Sequence, residues 1–442
     1  MKKVVCLGFS FWKKKFISKY LAPVVCIFEK SDYFEKKNPG AKNNEHFRNS
    51  SGNINIAFWA SQFIRDPYIN RLEYFYRNNS DCFSIIHIED GFIRSNGLGS
   101  NFFYPYSLVF DRSGIYYDPS HECDLEKILS SLNTKYSDEE YTKLRQQALS
   151  LKKLIIKNDI SKYSIRSCKN KKHDAIDLKE TEPRYSKDYF YNNLNDIAQA
   201  EKQFNNVKKI IFIPTQVDDD ASMILGGCGF TNLSLLKVVR DENPDAIIIC
   251  KIHPDIVSGN RYGDTVFKEY SKYADFIYST EVSITECLNL CDEVHTISSL
   301  SGFEALLRGK KVFCYGMPFY AGYGLTTDYS VIKQHPIAVK AYVRRKGINL
   351  FSGSSSVEDA LANLIIGTLI LYPTYYSWEN NRLSNVEEVI SELIQNNPSK
   401  QNKLFYLYSR LTLPFRKKFI SKESLLKKYT DRKSQSDSDY FC

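Results

Sequence analysis

The feature that most constrains the fold is the recurrence of short apolar runs that end in loop residues and alternate with helix-like stretches. Runs at 4–8, 24–28, 54–59 and 85–88 follow this pattern in the first quarter of the chain. A second series begins near Lys208, with strands expected at 209–214, 246–251, 293–297 and 312–315. Apolar strands spaced by helical crossovers predict parallel sheets covered on both faces. Helices are expected at 124–129, 138–160, 233–240, 284–290, 357–372 and 385–395. Another at 301–308 would be closed by Gly309, a residue suited to a helix C-terminus.

At 442 residues the chain exceeds one ordinary core and suits two domains. The expected division is a first Rossmann-like unit at 1–165 and a polar connecting segment at 166–207. A second Rossmann-like unit at 208–376 is followed by helices and a basic tail at 377–442. The class is α/β, and two such halves with a returning C-terminal helix give a GT-B-type architecture. Lys2 and Lys3 before an apolar run resemble the start of a signal peptide. Lys13-Lys14-Lys15 ends that run early, so it reads as a first strand followed by a loop. No apolar stretch approaches the length of a membrane span.

The net charge of +9 suits an anionic partner such as a phosphate, a nucleotide or a lipid surface. No basic stripe interleaved with aromatics stands out before the tail, which argues against nucleic acid. The tail after Lys403 mixes Phe405, Tyr406, Tyr408 and Phe415 with Arg410, Arg416, Lys417 and Lys418. It reads as a basic amphipathic segment that lies on anionic lipid, or as a solvated tail. Eleven scattered cysteines, an odd number, read as reduced core thiols of a cytosolic protein. Cys287 and Cys291 lie one helical turn apart without a second ligand pair and read as packing. There is no Walker A sequence and no Gly-x-Gly-x-x-Gly opening a helix, which counts against ATPases and dehydrogenases.

Four blocks carry the chemistry. Glu89-Asp90-Gly91-Phe92-Ile93-Arg94 follows an apolar run, as a proton-transfer site, an anion clamp or a surface turn. Gln216-Val217-Asp218-Asp219-Asp220-Ala221-Ser222 also leaves a strand. Its acids fit a divalent-metal site, a carboxylate nucleophile whose neighbours cap the next helix, or a solvated turn. Lys251-Ile252-His253-Pro254 pairs a cation with an imidazole at a strand end, and a phosphate is the natural partner. Ser298-Ser299-Leu300-Ser301-Gly302-Phe303-Glu304 joins a strand to a helix and reads as a phosphate-binding turn. The alternative there is capping by Ser301, with Glu304 completing a capping box.

Taken in order, these blocks resemble the bacterial capsule-assembly Kdo transferases of the KpsC family. The resemblance extends to Ser107-Leu108-Val109-Phe110-Asp111, Gly114-Ile115-Tyr116-Tyr117-Asp118-Pro119 and Asp292-Glu293-Val294-His295-Thr296. It also covers Tyr315-Gly316-Met317-Pro318-Phe319-Tyr320-Ala321-Gly322-Tyr323-Gly324, Arg344-Arg345 and Leu371-Tyr372-Pro373-Thr374-Tyr375. It runs from about residue 57 to 376. The family implies transfer of 3-deoxy-D-manno-oct-2-ulosonic acid (Kdo) from CMP-Kdo, with retention, through a carboxylate nucleophile. By that resemblance Asp220 is the nucleophile and Glu89, with Asp90 beside it, the acid/base. Gln216, Lys251, His253, Ser298, Ser299 and Ser301 would hold the donor, Glu304 its ribose and Arg94 the Kdo carboxylate.

CMP-Kdo carries one phosphate, so the resemblance implies no metal and no cofactor. The expected acceptor is lipid-linked or an oligosaccharide, the expected place the cytoplasmic face of the inner membrane, held there by the tail. The rival readings are a Kdo transferase that builds or caps a polysaccharide repeat, and a silent module of an assembly complex that binds nucleotide-sugar or polysaccharide. Family enzymes carry two such modules, and this sequence has one. It also has Thr215, Asp218 and Tyr323 where the most similar family module has Gly, Glu and Trp, which bears on the acceptor more than on the reaction.

Overall fold

The computed structural model describes residues 3–37, 55–78, 84–99, 102–162, 209–257, 267–278, 282–351 and 356–395. The first sheet contains β1 (Lys3–Leu7), β2 (Val25–Glu29), β3 (Asn55–Trp59), β4 (Ser84–Asp90) and β5 (Ser107–Asp111). The second contains β6 (Ile210–Pro214), β7 (Ile247–Lys251), β8 (Phe276–Tyr278), β9 (Glu293–Thr296), β10 (Lys311–Cys314) and β11 (Thr327–Asp328). The chain then crosses back, and β12 (Pro373–Ser377) and β13 (Arg382–Ser384) complete the first sheet. Pro373–Tyr376 thus lie in the first sheet, although they fall within the span 208–376 expected for the second unit.

Among the described residues the orders are β13-β12-β5-β4-β3-β1-β2 and β11-β10-β9-β6-β7-β8. The second sheet is parallel throughout. Its central strands Ile-Ile-Phe-Ile-Pro and Ile-Ile-Ile-Cys-Lys are buried at every position, as strands covered on both faces must be. This is the two-sheet, GT-B-type α/β architecture.

The first sheet departs from the parallel arrangement expected for it. β1 to β4 run parallel, but β5 is antiparallel to β4 and β12 is antiparallel to β5. The described residues between β4 and β5 form turns and no crossover α-helix, so the chain returns beside its own strand. The expected loop at Lys13-Lys14-Lys15 is the first helix, Phe11–Leu21. Ser10 caps it, and Trp12, Phe16, Ile17 and Tyr20 fill one buried face at helical spacing. The expected helix at 357–372 is α-helical only over Val357–Ile365, then widens into a π-helix over Ile366–Leu371. There the Gly367 Cα lies against Leu129, where a Cβ would collide with the leucine side chain.

Both sheets change direction at one point. The chain adds β7 and β8 on one side of β6 and β9, β10 and β11 on the other, so the second sheet switches between β6 and β9. The first switches between β1 and β3. Crevices outside the carboxyl ends of strands at such points are where open α/β sheets hold ligands. Phe92, just past β4, stacks 4.6 Å from Phe319 of the second lobe, inside an apolar cluster shared by both.

Candidate active site

The second sheet's switch point is bridged by Gln216 and Ser298. Gln216 leaves β6, and its Nε2 donates to Ser298 Oγ at 3.0 Å while Ser298 N–H donates to Gln216 Oε1 at 2.9 Å. Ser298 Oγ donates to the Ser222 carbonyl at 3.0 Å. The amide of Gln216 is thus spent on fixing the two loops against each other. Asn232 holds the same turn, donating to the Gln216 carbonyl at 2.9 Å and to Asp218 Oδ1 at 3.0 Å.

Asp220 is the N-cap of the short helix Ala221–Gly226. Its Oδ1 accepts from Ser222 N–H at 3.0 Å and from Ser222 Oγ at 2.8 Å, which fixes the carboxylate plane. The three acids of the block are thereby separated in role. Asp218 is held by Asn232, the Asp219 carbonyl accepts from Arg65 of the first lobe at 3.0 Å, and Asp220 caps a helix. Among the described residues no group of three His, Cys, Asp or Glu side chains converges as a metal cage.

Lys251 ends β7 in a buried position, and burial holds its amine below the usual lysine range against the opposing pull of Cys287 and Glu286. His253 N–H donates to Thr215 Oγ1 at 3.1 Å, and its Nδ1 accepts from Asp255 N–H at 3.2 Å. The next turn corrects one expectation. Ser299, not Ser301, caps the helix Leu300–Leu307, accepting from Ser301 N–H at 3.2 Å. Glu304 closes no capping box; it turns to the Lys162 N–H, accepting at 2.9 Å. Burial pushes its carboxyl up to about 7. Tyr320 donates to the Ser299 carbonyl at 2.5 Å and leaves no room for a side chain at Gly302.

Across the cleft, Glu89 and Asp90 end β4. Burial, then the neighbouring Asp90 charge, raise the Glu89 carboxyl to about 7, against the pull of Lys13 and Lys162. Tyr117 donates to Glu89 Oε2 at 3.3 Å, and Tyr116 donates to the Asp90 carbonyl at 3.3 Å. Arg94, buried, is taken up locally. Its Nε donates to Asp90 Oδ2 at 2.7 Å and its Nη1 to Ser95 Oγ at 2.8 Å. The two lobes meet at the tyrosines: Tyr116 and Tyr117 both feel the charges of Glu89 and Asp220, and burial is the larger force raising both hydroxyls.

The structure therefore gathers the eleven candidates into two groups. Glu89, Asp90 and Arg94 form one. Gln216 and Ser298, joined to Asp220 through Ser222, form the hydrogen-bonded centre of the other, with Lys251 and His253 at the end of β7 and Ser299, Ser301 and Glu304 in the turn and helix after β9. Reading the sequence for strand-end motifs missed Lys13, Tyr116, Tyr117 and Lys162. Tyr116-Tyr117 lies in a turn whose one acid, Asp118, is held locally by Ser120. Lys162 follows a long helix, and its backbone carbonyl accepts from the Arg94 and Ser95 N–H groups at 3.1 and 3.3 Å.

Comparison with known proteins supplies the family. Residues 75–353 match the family described as capsule polysaccharide biosynthesis protein. The chain belongs to that family. It is 39% identical over 320 residues to the capsule polysaccharide modification protein LipA of Neisseria meningitidis serogroup B, covering 72% of this chain and 37% of LipA. It is 33% identical over 312 residues to the lipopolysaccharide-processing protein LpsZ of Rhizobium meliloti, covering 69% of this chain and 58% of LpsZ. The chain thus spans well under two thirds of either relative. Among solved structures it resembles the β-Kdo 2,7 transferase of Thermosulfurimonas dismutans KpsC, with a TM-score of 0.57 and 30% identity. That match covers 89% of this chain and 99% of the other. The β-Kdo 2,4 transferase of the same protein matches in fold, with a TM-score of 0.58 and 24% identity.

Proposed function

We propose that this chain is a retaining β-Kdo transferase, moving Kdo from CMP-Kdo to a lipid-linked or glycan acceptor in capsule or surface polysaccharide synthesis. The observation that supports the reading is that Tyr116 and Tyr117, one of them bonded to Glu89, lie within electrostatic reach of both Glu89 and Asp220. In the first step an Asp220 oxygen bonds to the anomeric carbon as the bond to the CMP phosphate oxygen breaks, and CMP leaves with that electron pair. In the second, the acceptor hydroxyl oxygen bonds to the same carbon, the Asp220 ester bond breaks, and Glu89 takes the hydroxyl proton. Two inversions leave the configuration unchanged.

A Glu89 carboxyl near neutrality can hold and release a proton at physiological pH, which supports the acid/base role. Lys251, His253 and the serine turn supply cations and donors for the single phosphate of the donor. No diphosphate has to be neutralised, so no metal is part of this scheme. Location at the inner membrane face belongs to the same reading. The tail expected to reach the lipid lies outside the described residues, and no helix among those described is long and apolar enough to cross a membrane.

Asp220→Ala should abolish transfer from CMP-Kdo while CMP still binds in calorimetry. Mass spectrometry of the wild-type protein with CMP-Kdo should find a Kdo adduct on the peptide holding Asp220. Full activity in the variant, or an adduct on another residue, would remove Asp220 from the mechanism.

A further inference from the structure

The switch point of the first sheet, between β1 and β3, carries charged chemistry that the scheme above leaves unassigned. From β1 the chain passes Gly8, whose carbonyl accepts from Gln62 Nε2 at 2.8 Å, and enters the helix Phe11–Leu21. From β3 it passes Trp59. Lys13, in the first turn of that helix, places its Nζ 3.2 Å from the centroid of the Trp59 ring. An ammonium over an indole face is attracted to the ring and restrained by it. Trp59 pairs with Ile88 in β4, the residue immediately before Glu89. The ring thus seats the ammonium at the carboxyl end of β3, next to the strand end that carries Glu89 and Asp90.

The charges facing Lys13 are Glu89 and Asp90 from β4, Arg94 from the turn after it, and Arg65 from the helix Gln62–Arg65. Those facing Glu89 are Asp90, Lys13 and Lys162, with the Tyr117 hydroxyl bonded to it. Asp90 is already matched by Arg94 at 2.7 Å. Lys162 also faces Glu304, from the other lobe. We infer that Lys13 is a positioning residue for Glu89: its ammonium, seated on Trp59, keeps the half-buried carboxyl able to ionise. The inference rests on the acid/base reading of Glu89.

The electrostatics agree in sign. Burial raises Glu89 to about 7 and Lys13 opposes it, while burial lowers Lys13 to about 7 and Glu89 opposes that. The two groups titrate in one range, so the charge on either is felt by the other. A lysine that only packed against the indole would leave the titration of Glu89 where it is.

The test is a titration of the full chain labelled with δ-13C glutamate, the Glu89 signal being identified by its loss in Glu89→Gln. Lys13→Met should raise the Glu89 midpoint by about one pH unit or more, the effect of removing a nearby opposite charge. Lys13→Arg should stay close to wild type. In CMP release from CMP-Kdo, the acid limb of kcat/KM should move up by the same amount in Lys13→Met, with KM for CMP-Kdo little changed. An unmoved midpoint overturns the inference. So does a raised KM with an unmoved limb, which would make Lys13 a substrate-anion ligand. Should the Met variant not fold, Lys13→Gln gives the same reading. If Glu89→Gln keeps the wild-type rate and limb, the acid/base role of Glu89 fails, and the midpoint in Lys13→Met still decides whether Lys13 governs that carboxyl.

Discussion

At the residue scale two glutamates of the candidate site have raised carboxyls, the buried Glu304 and the half-buried Glu89. Glu304 has no nearby cation strong enough to offset its burial, and its carboxyl rises to about 7 from an ordinary 4.5. Between those values the folded chain holds a proton that the unfolded chain has lost, so stability falls as pH rises through that window and is level above it. Glu304→Gln keeps an oxygen for the Lys162 N–H and removes the titration. Its stability relative to wild type should therefore grow by roughly 1–3 kcal/mol between pH 4.5 and pH 8. Urea unfolding at both pH values checks this, and a constant difference would mean that Glu304 ionises freely in the fold. Residue roles were partly legible in the sequence. A capping acid in the block 218–220 could be read, but the cap is Asp220 itself, the expected nucleophile, and not its neighbours, and the engagement of Arg94 with Asp90 could not be read. A guanidinium four residues from an acid turns inward or outward according to what packs on it, and here Gly99 lies against the guanidinium with no room for a Cβ.

At the scale of elements, the site is made where three backbone turns touch. Gly316 follows β10, its N–H donates to the Ile297 carbonyl at 3.0 Å, and the Met317 N–H donates to the Gly226 carbonyl at 2.7 Å. A Cβ on Gly316 would stand 2.8 Å from the Ile297 carbonyl oxygen and collide with that of Gly226, both rigid backbone. Gly316→Ala should cost roughly 1–3 kcal/mol in chemical denaturation, as overpacking does. Wild-type stability would show that these turns give way easily. The parallel strands were legible because strands buried on both faces are continuous apolar words. The helix Phe11–Leu21 was hidden by its lysine triplet, since charge was weighed above the spacing of Trp12, Phe16 and Tyr20. β5 and β12 were not legible as partners, because their pairing joins residues more than 260 positions apart.

At the scale of the whole molecule, the lobes are tied by a buried charge cluster. Glu126, on Asp124–Lys135, accepts from Arg345 Nε at 2.7 Å and from Arg344 Nε at 2.5 Å, both on Pro336–Lys346. Arg345 Nη1 also donates to the Pro318 and Ala321 carbonyls at 2.6 and 3.0 Å. Glu126 and Arg345 are each 1% exposed. Removing one member of such a cluster strands the others without water, and Arg345→Met should cost about 3–5 kcal/mol. A loss below about 1 kcal/mol in guanidinium unfolding would mean that the packed lobes hold without it. Arg344-Arg345, one of the blocks carrying the sequence resemblance, therefore has a structural reason to be there.

By itself the sequence determined the class of fold and where its polar blocks leave the strands. Alternating apolar strands and helices dictate the parallel second sheet and the parallel β1–β4 of the first, and polar blocks that follow apolar strands lie at strand ends, where open sheets hold ligands. Only the tertiary structure decided which strand ends face each other. It placed Lys13 over Trp59, set Tyr116 and Tyr117 where the charges of both Glu89 and Asp220 reach them, and returned β12 to the first sheet. These contacts join residues far apart in the chain. They follow from burying two sheets against a shared core, and no local pattern of residues encodes them.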